Sequence, residues 1–167
     1  MAKHTLSVLV ENHAGVLSSV AALFSRRGFN IDSLAVGVTE NPDISRMTIV
    51  VDGDDYAVEQ VSKQLNKLID VIKINQLNPQ ESVSRELAMI KVSTTDSTRA
   101  EIIQITEIFR AKIVDISKST VTIEISGGVA KVEALQDMLQ QFGIKEIVRT
   151  GTIAIGRGNR FVDINEK

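Results

Sequence analysis

The sequence predicts an α+β protein built from two ferredoxin-like sandwiches, each with the element order βαββαβ. Three observations carry this expectation. The chain has 167 residues, room for one ordinary domain or two small ones. It contains 20 Ile and 19 Val, a β-branched excess that favours strands half-buried against helices. The same order of strand-like and helix-like segments also occurs twice, on either side of a polar stretch around Asn78-Pro79-Gln80-Glu81-Ser82.

In the first half, Thr5 to Val10 alternates, with Leu6, Val8 and Val10 on one side and Thr5, Ser7 and Leu9 on the other, which reads as a strand. After the break Glu11-Asn12-His13-Ala14-Gly15, the residues Val16, Leu17, Val20, Leu23 and Phe24 recur at helical spacing. Gly28 closes this helix after a basic last turn, Arg26-Arg27, as a left-handed terminal glycine does. A second strand runs from about Asn30 to Val38, a turn over 39–43, and a third strand from Ser45 to Val51. Asp52-Gly53-Asp54-Asp55 begins a helix striped by Val58, Val61, Leu65 and Leu68. Val71 to Leu77 is a fourth strand, completing the split βαβ pattern.

The second half repeats that order with little identity. Leu87 to Val92 is a strand, and Ile102, Ile105, Ile108 and Phe109 mark a helix. Ile113 to Ile116 and Val121 to Ile125 are paired strands, Val132, Leu135 and Leu139 a helical stripe, and Ile144 to Val148 a last strand. The expected division is a first domain over 1–78, a linker over 79–83, a second domain over 84–158 and a tail over 159–167. Domains of about 75 residues bury little core alone, which favours pairing with copies or partners.

Composition narrows the function. A net charge of −2 gives no general pull toward nucleic acid or an anionic membrane. No apolar run approaches the roughly 20 residues of a membrane span, and the first residues lead directly into a strand without a signal-peptide core. Without cysteine, disulfides, thiolate metal sites and cysteine nucleophiles are excluded, and a reducing cytoplasm is the simplest setting. Two histidines and one tyrosine are a poor inventory for an enzyme.

One feature distinguishes the halves. The first strand–helix break carries Asn12-His13-Ala14-Gly15, whereas Thr94-Thr95-Asp96-Ser97-Thr98 has no glycine. Glycine at such a turn lets backbone approach a ligand, and free amides at the helix start attract an anion. The plain structural alternative is that Asn12 caps the helix and Gly15 relieves turn strain. Asn30 favours a site: these segments are expected on one edge, where a two-fold copy sets its Asn30 opposite Asn12 and Gly15. Amide carbonyls suit an ammonium group and helix-start amides a carboxylate, together a receptor for a free amino acid. His4 and His13 read as ordinary surface histidines. Asp52, Asp54 and Asp55 lack calcium-loop spacing, and no metal site is expected. Gly156-Arg157-Gly158 follows a strand but precedes no helix, so it is a weak phosphate loop. Arg149, Arg157 and Arg160 read as part of a solvated tail, with a small basic contact surface as the alternative.

The segments LSVLVENHAGVLSSVAALFSRRGFNIDSL at 6–34, SRMTIVV at 45–51, KQLNKLIDVIKI at 63–74, TEIFRAKIVDIS at 106–117 and RTGTIAIGRG at 149–158 together resemble the small, regulatory subunits of acetohydroxyacid synthase (acetolactate synthase), over essentially the whole chain. The first segment with EIFRAKIVDI is highly specific. The resemblance implies an N-terminal ACT domain, a homodimer through ACT domains and a catalytic large subunit as partner. It implies that valine, or another branched-chain amino acid, binds between two ACT domains. The matching positions are Asn12, Gly15 and the backbone of His13, Ala14, Val16 and Leu17 from one protomer, with Asn30 and Ile31 from the other. Apolar groups near Val36 and Ile31 would receive the isopropyl group. No catalytic residue and no cofactor are expected on this chain; thiamine diphosphate, Mg2+ and FAD belong to the large subunit. The alternatives are an amino-acid sensor serving another enzyme or a transcription regulator, and a small ferredoxin-like enzyme. The first lacks a visible basic recognition helix, and the second needs acid–base groups that Asn12, Asn30 and Gly15 do not provide.

Overall fold

The computed structural model describes residues 2–164. They form two compact units, one of residues 2–84 with 152–164 and one of residues 85–151.

The first unit begins with β1 (Ala2–Glu11), α1 (Val16–Arg26), β2 (Ile31–Val38), β3 (Ile44–Gly53), α2 (Asp55–Leu65) and β4 (Val71–Leu77). Its sheet has the order β2-β3-β1-β4 with every pairing antiparallel, the ferredoxin-like arrangement. Leu6, Val8 and Val10 join Met47, Ile49 and Val51 on one face, and Val16, Val20, Leu23, Phe24, Val58, Val61 and Leu65 of the helices close the core over them. Local chemistry fixes the helix ends. Asp54 caps α2 by accepting from the Ala57 amide at 2.7 Å. Beyond α1, Gly28 adopts φ +70°, the Phe29 amide reaches back to Phe24 O and the Gly28 amide to Ser25 O, a Schellman closure.

The second unit contains most of β5 (Ser82–Ser93), then α3 (Arg99–Ile108), β6 (Lys112–Ile116), β7 (Thr120–Gly127), α4 (Val129–Gln140) and β8 (Ile144–Arg149). The order β6-β7-β5-β8 repeats the permutation of the first sheet. Ala88, Ile90, Val92, Val121, Ile123 and Ile125 face Ile102, Ile105, Val132, Leu135 and Leu139. A final strand, β9 (Ile153–Gly156), pairs with β5.

Several details differ from the sequence reading. Ser7 and Leu9, assigned to a polar face, are both buried, so the first sheet is covered on both sides. Residues of the returning C-terminal segment lie on that second face. The Thr152 amide donates to Ser33 Oγ at 2.7 Å, and Ile153, Ala154 and Ile155 share a cavity of about 330 Å³ with Ala35, Gly37, Arg46 and Thr48. By their contacts, residues 152–158 pack with the first unit. The expected linker is a 3₁₀ turn over Pro79–Glu81 running straight into β5. Leu17 and Ile108, placed on apolar helix stripes, are exposed, because each sits at a helix terminus beyond the sheet-facing arc.

Of the expected tail, the described residues 159–162 line a second cavity with the end of β4. Arg160 pairs with Glu81 at 2.7 Å and Arg149 pairs with the buried Glu86, so two of the three arginines considered as a basic patch have carboxylate partners. Gly156 is held by close approach: a Cβ there would lie 2.7 Å from the Arg160 carbonyl oxygen.

Candidate functional site

The β1–α1 loop is tied down on two sides by backbone before any side chain is considered. The Glu11 amide donates to Asp70 O at 2.9 Å, and the Asn12 amide to Asp43 O at 2.8 Å. Asn12 then adds its carboxamide to the same turn. Its Nδ2 donates to Pro42 O at 2.8 Å, and its Oδ1 accepts from Ser45 Oγ at 3.0 Å. Asn12 is therefore no helix cap; it joins the loop to the β2–β3 turn. The cap position belongs to Gly15, at φ +90° and ψ −15° with no side-chain cap bond. An L side chain is strained at that φ, while nothing lies within 4 Å of where its Cβ would be, so glycine is required by conformation and not by space.

The consequence is an open helix start. With no side-chain cap and no acidic residue in the first turn of α1, the first amides keep their hydrogen-bonding capacity and the positive end of the helix dipole is uncompensated. Val16 itself is core, so only its backbone can serve a ligand. Ala14 is exposed and uses its carbonyl toward His13. Leu17 and Val36 are 45% and 48% exposed, apolar groups beside this loop and on the β2 edge strand.

The His13 ring makes two contacts. Nε2 lies 2.8 Å from Asp70 Oδ1 and Nδ1 lies 3.1 Å from Ala14 O. Its pKa is raised, first by the hydrogen bond to the Ala14 carbonyl and then by that to Asp70. The reading of His13 as an ordinary surface histidine is thus incomplete. Asp70, Ser45 and Pro42 were not among the sequence candidates. They are 57, 33 and 30 residues from the groups they bind, and no local spacing signals a pairing of that range.

Asn30 precedes β2. Its Nδ2 donates to Asp32 Oδ1 at 3.2 Å, and Asp32 is paired with Lys3 at 3.3 Å. Ile31 packs partly against the core. Register places the two groups of candidates far apart. Glu11 is opposite Ile44 and Val38 opposite Ser45, whereas Ile31 is opposite Val51. From Ser45 to Val51 along β3 is roughly 20 Å at strand rise. Asn12 and Gly15 thus occupy one end of the sheet and Asn30 with Ile31 the other, joined by the unpaired outer edge of β2. Within one chain the two groups thus lie at opposite ends of that edge.

The remaining candidates have structural partners. His4 Nε2 faces Gly53 O at 3.1 Å and its Nδ1 faces Gln76 Nε2 at 3.0 Å. Asp54 is the α2 cap, and Asp55 lies in its first turn. Among the described residues no group of three or more His, Asp or Glu is placed to hold a metal ion, and no helix is long and apolar enough to cross a membrane.

Comparison with known proteins matches each half of the chain to a family model. Residues 6–73 match a family model described as the AHAS small subunit-like ACT domain, and residues 85–158 one described as the small subunit of acetolactate synthase. A probable acetolactate synthase small subunit of Archaeoglobus fulgidus is 56% identical over 158 residues, covering 95% of this chain and 99% of its own. The acetolactate synthase small subunit of Mycolicibacterium smegmatis is 56% identical over 157 residues, covering 94% and 92%. The crystal structure of the acetolactate synthase small subunit from Thermotoga maritima superposes with a TM-score of 0.88 at 46% identity, over 95% of this chain and 99% of that one.

Proposed function

The chain belongs to the family of acetolactate synthase small, regulatory subunits, with a catalytic large subunit as its implied partner, and from that membership we propose that it is the effector-binding component of branched-chain amino acid feedback. In this reading it binds valine between two ACT domains of a homodimer, raises the activity of the large subunit and renders it inhibitable. The chemistry with thiamine diphosphate, Mg2+ and FAD stays on the large subunit, and the purified chain alone turns over no pyruvate. The complex works in the cytoplasm, away from membrane and nucleic acid.

The observation that carries the proposal is the separation of the two half-sites along an unpaired edge. Antiparallel apposition of two β2 edges by a two-fold axis sets the beginning of one β2 beside the end of the other. Asn30 and Ile31 of one protomer then meet Asn12 and Gly15 of its partner, twice per dimer. The open amides after Gly15 suit the effector carboxylate, and carboxamide oxygens of Asn12 and Asn30 suit its ammonium group. Leu17 and Val36 offer apolar surface to a branched side chain. A ligand that needs both chains stabilises one dimer geometry over others, and that differential affinity is what regulation requires.

Titration calorimetry with valine tests it. Gly15→Asp places a carboxylate where the ligand carboxylate belongs and is expected to weaken binding by about 2–5 kcal/mol, roughly 30-fold or more. Asn30→Ala should weaken binding while association with the large subunit persists. Parent-like affinity in Gly15→Asp would remove the site, and loss of association before loss of binding in Asn30→Ala would make Asn30 a structural residue.

A further inference from the structure

We propose that the His13 side chain is a positioning group for the effector loop and does this work only as an imidazolium, so that effector binding is coupled to a proton. The inference rests on the effector reading above and adds a regulation of the same site.

Donors and acceptors at the His13 ring decide its charge. Asp70 Oδ1 at Nε2 and Ala14 O at Nδ1 are both acceptors, and a neutral imidazole carries one N–H and satisfies only one of them. Two N–H groups exist only in the cation. His4 is the internal control. Its Nε2 faces a carbonyl, Gly53 O, and lies 3.8 Å from Asp55 Oδ1, while its Nδ1 faces the donor Gln76 Nε2, so one N–H, at Nε2, serves these contacts.

The surroundings of His13 favour the charge as well. The titratable groups acting on it are Glu11 at the end of β1 and Asp70 in the turn before β4, both acidic, and the first turn of α1 contributes no acid. Asp70 also holds this segment through its backbone, by accepting from the Glu11 amide. The ring thus binds the loop to a point that is already fixed, and it does so within two residues of Gly15. Protonated, it holds Ala14 and the entry to α1 in place and adds positive charge beside the amides that would receive a carboxylate. Deprotonated, it releases one contact and removes that charge.

The test combines two measurements on the full-length dimer. NMR of labelled histidine rings follows His13 from about pH 6 to 8.5, with amide exchange of residues 12–17 followed alongside. Calorimetry measures valine affinity over the same range in two buffers of different ionisation enthalpy. We expect His13 to titrate above the ordinary histidine value, loop protection to fall as His13 loses its proton, and valine affinity to drop about five-fold across the range with proton uptake on binding at the upper end. His13→Gln keeps one donor for Asp70, and its affinity should stay near the parent's high-pH value without the pH dependence. Equal parent affinity throughout, or a pH dependence that survives in His13→Gln, overturns the coupling. If valine binds at no pH the effector reading itself falls, and loop protection that ignores the His13 titration then overturns the positioning role separately.

Discussion

The two domains share one strand permutation and almost the same helix stripes, yet their sheets meet the surroundings differently. In the first, Ser7, Leu9, Thr48 and Val50 on the face away from the helices are all buried. In the second, the corresponding face carries Met89 at 40% and Val148 at 52% exposure, with Lys91, Thr122, Glu124 and Glu146 in register beside them. The strands record this difference. β7 reads Thr120-Val121-Thr122-Ile123-Glu124-Ile125, the strict alternation of a sheet with one wet face, whereas β1 contains Leu6, Val8, Leu9 and Val10 and β3 contains Ile49, Val50 and Val51, apolar at both parities. A ferredoxin-like order alone does not say how many faces a sheet buries. The exceptions to its alternation do.

The largest test of that contrast is a matched pair of truncations read by chemical denaturation. Leu9→Ala in the doubly covered sheet is expected to cost about 2–5 kcal/mol. Met89→Ala at the equivalent face of the second sheet should cost less than about 1 kcal/mol, since much of that side chain already meets water. Similar losses would mean that the second face is equally covered in solution.

The helix ends supply a smaller test. α1 and α3 close with the same hydrogen-bond pattern, but the left-handed position is Gly28 after α1 and Arg110, at φ +53°, after α3. Thermal or urea unfolding should show Gly28→Ala losing about 1 kcal/mol and Arg110→Gly gaining somewhat less than that. The smallest effect lies at the other helix pair. Asp54 caps α2 through its side chain, while Gly128 begins α4 without a side-chain cap, at φ −68° and with open space around its would-be Cβ. Gly128→Ser is expected to stabilise the second domain by a few tenths of a kcal/mol. The pH dependence of the first domain completes the set. A raised His13 pKa means that its contribution to folding is full below the ordinary histidine value and is lost as pH rises through the raised one. His13→Gln should flatten that part of a stability-against-pH curve.

Much of this arrangement was legible in residue order. The strand and helix stripes of both halves were, as were the closing role of Gly28 and the asymmetry between the Gly15 loop and Thr94–Thr98. These are local signals of periodicity and turn chemistry. Burial of Leu9 was not, and neither was the return of residues 152–158 to the first unit, which depends on contacts more than a hundred residues apart in the chain. The duties of Asn12 and His13 belong to the same class: their spacing showed a loop, and only register brought Ser45 and Asp70 to it.

That returning segment has a consequence for how the protein is made. The first domain is complete in sequence only after residue 152, yet its strands β1 to β4 are synthesised before residue 84. At 5–20 residues per second the intervening stretch takes on the order of 3–14 s to synthesise. During that interval the nascent first sheet presents Leu9 and Val50 without the segment that later lies over their face. Chaperone occupancy, and sensitivity to premature termination, should both peak in that window. A fragment ending at residue 84 inherits the same bare face permanently, whereas one that joins 84 directly to 152 does not.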